Sequence, residues 1–386
     1  MNETHSVARP RIAFIGADIT NPTLILRVRS FIRLGCDVTS FSFRRTKFNV
    51  EYQPEWPNIH LGETIDRHYL RRLPTLFYAI SVLVKHRRVF RDAEVIYCRH
   101  IDLLGIGIAA KWLTRSHAKL VYEIEDVQEV FFKKTMKGAI FRWLEGRALK
   151  FIDLLVVLSP GFLRGYFEPV FDYSGPSFVL ENKIQLGGRS AESTPAGSMW
   201  QGITDRWVIG WFGTLRCPKS MALLEEIAER LGDRVEIYTR GYPTESGLDA
   251  YMEIVNRHPN WTYEGEYTIP EDLEDMYGRV HFSWCIDFLD EFGNSPLLLA
   301  CRMYQGGFYG SVPLALEGTE MDRWLTSAGV GHIVGAPHVD TIVDLIENFD
   351  AETYKQERAE MMARRHELFE EDGRETKALL EKMLTV

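Results

Sequence analysis

Between Trp207 and Ser220 the chain reads WVIGWFGTLRCPKS, a run of residue types able to hold a diphosphate. A buried-type strand over 208–211 reaches a turn at Gly213. Thr214, Leu215 and Arg216 follow, and Pro218, Lys219 and Ser220 open a helix whose apolar positions include Leu223, Leu224, Ile227 and Leu231. A helix N-terminus presents unpaired N–H groups and a partial positive charge. Lys219 and Arg216 add full charges and directed donors. An ordinary βα turn with solvated cations has the same local pattern, so the stretch takes its meaning from its company.

Other residues fit the same chemistry. Arg240 and Gly241 end a second strand and are candidates to lie near the diphosphate, with an exposed loop arginine as the plain alternative. Gly265-Glu266-Tyr267 ends a third strand, where Tyr267 serves either to stack on a base or to pack. Asn294-Ser295-Pro296 has the composition of a helix start, and such an N-terminus would receive a second phosphate. Glu123, Glu125, Asp126 and Glu129 form an acidic cluster after a strand. Asp126 is the candidate general base for deprotonating an acceptor hydroxyl, or else a helix cap. His100 and Asp102 follow another strand and are candidates to orient an acceptor.

Several chemistries are not expected. GADITNP at 16–22 is not a GxGxxG fingerprint, so Asp18, Thr20 and Asn21 read as turn chemistry and not as a dinucleotide site. Asp287-Phe288-Leu289-Asp290 lacks DxD spacing, and Cys36, Cys98, Cys217, Cys285 and Cys301 include no CxxC pair. No metal site and no resident cofactor is expected, and the thiols are expected to be reduced. Cys217, beside Arg216 and Lys219, reads as a spectator more readily than as a reactive thiol.

Positioning these groups requires alternating strands and helices. In the first half, strands are predicted over 11–16, 38–43, 95–98, 120–124, 154–158 and 178–181, with helices over 23–34, 66–91, 101–112 and 137–150 between them. Residues 187–204 are rich in Gly, Ser and Thr and read as a linker. The pattern restarts with strands over 208–211, 235–238, 261–264, 280–284, 313–316 and 332–334. Helices over 270–277 and 295–304 are the clearest in this half, and a charged helix over 352–384 ends the chain. The reading is an α/β protein of two Rossmann-like βα-repeat domains facing across a cleft: 1–186, a linker at 187–204, 205–350, and a C-terminal helix within 351–386. In open α/β sheets ligands sit beyond the carboxyl ends of the strands.

Composition agrees with a chain of 386 residues, 45% hydrophobic and 26% charged. No transmembrane run and no signal peptide are expected. The net charge of −9 hides a split: residues 1–190 carry 28 Lys+Arg against 19 Asp+Glu, and the remainder carries 17 against 35. The first half therefore suits an anionic partner. Nucleic-acid motifs are absent, which favours an anionic membrane surface. Residues 66–91 interleave apolar groups with Arg67, Arg71, Arg72, Lys85, Arg87, Arg88 and Arg91, and Phe131, Phe132, Lys133, Lys134 and Lys137 repeat the theme. An interfacial helix or a core helix with solvated ends explains either stretch.

VYEIED at 121–126, DLLVVLSPGF at 153–162, VLENK at 179–183, IGWFGTLR at 209–216 and NSPLLLACRMYQGGFYGSVP at 294–313 together resemble the GT-B glycosyltransferases, in particular the bacterial family-4 enzymes of exopolysaccharide and lipopolysaccharide synthesis. The resemblance covers nearly the whole chain. It implies that the second domain binds a nucleotide-sugar donor and the first binds the acceptor. Gly213 and Lys219 match the family's diphosphate motif, whereas Thr214 stands where Arg is usual and Arg216 is the nearest substitute. Gln305 stands where the family has a ribose-binding Glu.

The function this implies is transfer of a sugar from a nucleotide diphosphate sugar, with a UDP-sugar as the expected donor, to a lipid-linked glycan in exopolysaccharide or other cell-surface polysaccharide synthesis. The enzyme is expected in the cytoplasm, peripheral on the inner face of the membrane. Alternatives are a UDP-sugar 2-epimerase, a non-catalytic assembly partner of the same fold and, against the missing Gly fingerprint, a nicotinamide oxidoreductase.

Overall fold

The computed structural model describes residues 9–45, 51–63, 73–186, 206–244 and 247–386, and only the backbone of 73–77. The linker at 187–204 and the first part of the 66–91 segment lie outside the described residues. The chain forms two compact units. The first comprises residues 1–180 and 373–386, and the second residues 181–372.

The first unit holds a seven-stranded sheet. Its strands are β1 (Arg11–Gly16), β2 (Asp37–Arg44), β3 (Asn58–Glu63), β4 (Val95–Arg99), β5 (Lys119–Ile124), β6 (Leu154–Val157) and β7 (Ser177–Val179), in the order β3-β2-β1-β4-β5-β6-β7. Every pairing is parallel. Strands covered on both faces are apolar throughout, which is why LLVV of β6 is buried at every position. β3 has no such run, since only Leu61 of its NIHLGE is buried, and the sequence pattern gives no sign of it.

The second unit repeats the plan with β8 (Trp207–Thr214), β9 (Val235–Tyr242), β10 (Trp261–Tyr263), β11 (Phe282–Trp284), β12 (Val312–Leu316) and β13 (His332–Val334), in the order β10-β9-β8-β11-β12-β13. The order reverses between β8 and β11, and between β1 and β4 in the first unit. Each sheet thus opens a crevice at those carboxyl ends. The Pro218–Leu231 helix after β8 buries Met221, Leu224, Ile227, Ala228 and Leu231, each large apolar side chain contributing about 1.5–3 kcal/mol.

Three helices differ from the sequence pattern. The helix expected over 295–304 is Cys301–Tyr309, and 289–297 is a turn. Pro296 with Asn294 and Ser295 looks like a start locally, but side-chain bonds within 287–295 and the Glu320 N–H on the Pro296 carbonyl hold that segment as a loop. The segment at 66–91 is broken into Leu73–Lys85 and Arg87–Asp92. The single terminal helix is three: Ala351–Ala363, Arg365–Leu368 and Arg374–Thr385. The last of these belongs to the first unit. Its Leu379, Leu380 and Met383 join Phe14, Val28, Phe31 and Tyr97 in one core, and Lys382 Nζ donates to the Ser177 carbonyl at 2.8 Å. No helix among the described residues is long and apolar enough to cross a membrane.

Candidate functional site

In the second unit the carboxyl ends of β8, β9 and β10 converge. Gly213 and Gly241 are direct partners across the β8–β9 ladder, and both have left-handed φ, +105° and +131°. A Cβ on Gly241 would lie 1.9 Å from the Gly213 carbonyl oxygen, so only glycine permits this approach. The Gly241 N–H donates to the Gly265 carbonyl at 2.7 Å, and the Tyr263 hydroxyl to the Gly241 carbonyl at 2.8 Å. The Tyr267 hydroxyl lies 3.8 Å from where a Gly213 Cβ would be, at van der Waals contact distance. Burial raises the Tyr267 pKa, so its hydroxyl stays protonated as a donor.

The Pro218–Leu231 helix starts directly beyond. Cys217 caps it, its sulfur accepting from Ser220 N and Phe288 N, each at 3.4 Å, and it is buried. That confirms it as a structural thiol. Lys219 stands in the first turn, its Nζ 2.6 Å from Glu291 Oε1 and 4.1 Å from the Phe288 ring centroid. Arg216 and Thr214 are exposed at the mouth. Arg240 donates from Nη2 to the Glu266 carbonyl at 2.7 Å and lies 3.7 Å from Asp272 Oδ2. It therefore braces the loop carrying Tyr267, while its Nε is buried without a hydrogen-bond partner among the described residues. Gln305 Oε1 accepts from the Tyr277 hydroxyl at 3.2 Å.

The structure corrects the Asn294-Ser295 reading. Neither residue begins a helix. The Ser295 hydroxyl is buried, accepts from Asp290 N at 3.0 Å and donates to Asp287 Oδ2 at 3.2 Å. Asn294 N donates to Asp290 Oδ2 at 2.9 Å. These bonds shape the 287–297 loop and leave the Ser295 hydroxyl no proton for a phosphate. The helix start that does face this region is at Cys301, which exposes a residue the sequence reading missed. Arg302 stands in its first turn, half-buried, its Nε without a hydrogen-bond partner among the described residues, close enough to Tyr267 and Tyr277 to affect both electrostatically. Placing the helix start at 295 hid it mid-helix.

The first unit gathers a different cluster at the ends of β4 and β5. Glu123 is fully buried between Arg27 Nε and Arg99 Nε, both at 3.0 Å, and accepts from the Tyr97 hydroxyl. Burial alone would raise its pKa; Arg27 and Arg99 overcome that and hold it below the usual value. Arg99 also pairs with Glu125, which accepts from Thr23 Oγ1 at 2.8 Å and lies 3.4 Å from His100 Nε2. His100 has φ +69°, a strained setting for a non-glycine residue. Burial first, then the Arg99 charge, lowers its pKa to about 4, so the ring is neutral at pH 7. The sequence signal for this network was two charges, Arg99 and Glu123, inside otherwise apolar strands.

Asp126 is exposed at the rim of a narrow crevice shared with His100, Tyr122, Ile124, Phe131 and Glu145, of about 10 Å³, space for about one water. Asp102 sits in the first turn of the Ile101–Thr114 helix, where its Oδ1 accepts from Leu103 N at 3.1 Å. Glu145, also absent from the sequence reading, is buried at the crevice floor. Tyr122 donates to its Oε1 at 2.9 Å and Tyr166 to its Oε2 at 2.5 Å. Burial outweighs those bonds and lifts its pKa to about 7. Asp18 does turn chemistry as expected, its Oδ1 accepting from Thr20 N at 3.0 Å and Thr20 Oγ1 at 2.8 Å.

Two α/β units, each built on an all-parallel sheet and the first completed by the chain end, have the architecture of the GT-B glycosyltransferases. A sucrose-phosphate synthase from Thermosynechococcus elongatus matches with a TM-score of 0.70 over 98% of this chain and 100% of its own, at 14% identity. Anabaena HepE in complex with UDP and glucose matches with a TM-score of 0.67 over 98% and 100%, also at 14% identity. No family model matches the chain. In sequence, the succinoglycan biosynthesis protein ExoL of Rhizobium meliloti is 32% identical over 344 residues, covering 87% of this chain and 84% of ExoL. The chain belongs to the family of the succinoglycan biosynthesis protein ExoL, and its fold is that of the GT-B glycosyltransferases.

Proposed function

We propose that this glycosyltransferase takes its sugar from a UDP-sugar held by the second unit and passes it to a lipid-linked glycan held by the first. The observation that carries the donor reading is the Gly213–Gly241 pair: two glycine backbones brought together at the strand ends, beside Tyr267 and the first turn of the Pro218–Leu231 helix. A diphosphate there meets helix N–H groups, Lys219, Arg216 and Arg302. As the glycosidic bond breaks, negative charge grows on the leaving UDP, and fixed donors aimed at that charge lower the barrier. A diphosphate displaces Glu291 from Lys219. Tyr267 lies against the base or ribose, and Gln305 supports the ribose through a hydrogen bond.

In the first unit we assign Asp126 as the base that takes the acceptor hydroxyl proton, with neutral His100 and Asp102 orienting the acceptor. The cations of the donor site supply the positive charge that a metal would otherwise bring, and we assign the transfer as metal-independent. The lipid carrier places the enzyme on the cytoplasmic face of a membrane, drawn there by the cationic surface of the first unit.

The test is a thermal-shift screen with UDP, GDP, ADP and their sugars, followed by turnover in EDTA with a polyprenyl-diphosphate-linked glycan. UDP raises the melting temperature by mass action, and product forms only when the acceptor is present. Product from UDP-sugar alone would identify an epimerase. No shift with any nucleoside diphosphate would remove the donor site.

A further inference from the structure

The Met136–Ala148 helix is built inside out. A helix on the surface of an α/β unit normally turns its apolar stripe inward and its charges to water. Here Gly138 and Glu145 are buried, while Met136, Ile140, Trp143 and Leu144 are 79%, 51%, 63% and 46% exposed. Their spacing of four, three and one places all four on one face of the helix. Exposed apolar residues scattered singly need no explanation, but a stripe including an indole does.

The stripe does not end with the helix. Phe151 follows it in the next turn, exposed, its ring centroid 6.4 Å from that of Trp112. Trp112 and Leu113, 70% and 55% exposed, close the neighbouring Ile101–Thr114 helix, which packs against Met136–Ala148. The apolar surface thus runs from one helix to the end of the next.

The charges along it are mostly cationic, with Lys133 Nζ paired to Glu129 Oε1 at 2.8 Å at one end. Residues 133–151 contain Lys133, Lys134, Lys137, Arg142, Arg147 and Lys150 against a single carboxylate, Glu145, which is buried. Arg142 is committed to the fold, donating to the Phe131 and Lys133 carbonyls at 2.6 and 3.0 Å. Arg147 lies 5.9 Å from the Trp143 ring centroid and Lys137 the same distance from that of Phe141, so their stems drape over rings and leave the charged heads at the edge of the stripe. The Phe131 and Phe132 side chains, which the sequence left open between such a surface and the core, are not part of it. Phe131 is buried, and both pack on Tyr166, with centroids 6.2 and 5.3 Å away.

We propose that this face is the membrane-docking surface of the chain, seated on a bilayer that carries anionic lipid. The proposal deepens the membrane part of the function proposed above. The Met136–Ala148 helix lies in the plane of the interface with Met136, Ile140, Trp143 and Leu144 at the acyl boundary, and Trp112 with Phe151 forms a second point of entry. Lys134, Lys137, Arg147 and Lys150 meet the lipid phosphates. Indoles and cations side by side match a boundary that is apolar below and anionic above. A second copy is a poor occupant, because two-fold pairing would oppose the same cations.

Co-sedimentation with phosphatidylcholine vesicles, with and without phosphatidylglycerol, tests the assignment. The wild-type chain pellets with phosphatidylglycerol vesicles and is released by high salt. The pair Ile140→Ser and Trp143→Ser weakens partition by roughly tenfold or more, as does the pair Lys134→Glu and Lys137→Glu. The pair Arg87→Glu and Arg88→Glu, an equal charge change on the other basic segment, leaves it within about twofold. The proposal is overturned if the wild type stays in the supernatant, if the Ile140/Trp143 pair binds like the wild type, or if the Arg87/Arg88 pair loses as much. A dimer in analytical ultracentrifugation that the Ile140/Trp143 pair dissolves would assign the face to self-association instead. The melting temperature and its shift with UDP are recorded for every variant, so a misfolded variant is recognised and a failed donor site is separated from a failed docking face.

Discussion

Replacing Gly241 by alanine tests the donor site where its geometry is least forgiving. The new Cβ would stand 1.9 Å from the Gly213 oxygen, 2.8 Å from its carbonyl carbon and 3.0 Å from its nitrogen. Such contacts cannot be relieved by a rotamer, because the atoms are backbone on the adjacent strand. The φ of +131° adds strain of about 1–3 kcal/mol for a residue with a Cβ, and forcing the strand ends apart adds about 1–3 kcal/mol more. The expected loss is about 2–6 kcal/mol, a drop in melting temperature of at least about 4 °C for a unit of this size. The strand ends that move carry Arg240 and Thr214, so UDP affinity falls too. Gly318→Ala is the control: φ is +77° there, but a Cβ meets nothing within 4 Å. Differential scanning calorimetry and UDP titration of both variants read the result. If Gly241→Ala melts with Gly318→Ala and binds UDP like the wild type, the glycine pair does not shape a ligand site.

Three further outcomes are expected. Glu145 has a folded pKa of about 7 against an ordinary value of 4.5, so the folded state binds the extra proton between those limits. Its contribution is therefore fully present below pH 4.5 and lost as pH rises through 7. Glu145→Gln, whose amide can donate to one tyrosine oxygen and accept from the other, gains on the wild type by about 3 kcal/mol across that window and is flat above it. A difference in urea stability independent of pH would refute the shift. Arg99→Ala leaves Glu123 buried with one of its two arginines and costs about 3–5 kcal/mol, and a urea midpoint near wild type would contradict the network. Arg302→Ala weakens UDP binding by roughly tenfold or more while leaving uridine unaffected, as loss of a charge-assisted hydrogen bond requires; an equal loss for both ligands, by calorimetry, would move Arg302 off the phosphates.

Much of this architecture is legible in the residues alone. Strands buried on both faces must be apolar throughout, so β1, β4, β6 and β12 announce themselves, and the helices between them imply parallel sheets. Gly213, Gly241 and Tyr267 were visible as strand-end residues because turn chemistry is local. What escaped was set by partners distant in sequence. Arg27 and Glu123 meet across 96 positions, and nothing near either residue reports the other. The carbonyl of Pro296 accepts from Glu320 N at 2.8 Å, a partner beyond the segment, and local bonds from Asp287 and Asp290 complete the loop; the true helix start is therefore Cys301, which discloses Arg302.

The sequence by itself determined the two βα repeats, the cationic first half and the glycine turn after β8, since each follows from backbone preference, burial pattern or composition. Tertiary structure alone decided the strand order, the return of the Arg374–Thr385 helix to the first unit, the buried Arg–Glu network, and the outward turn of Met136, Ile140 and Trp143. Periodicity says which residues of a helix share a face. Which face the rest of the molecule covers depends on what packs against it, and that information is not local.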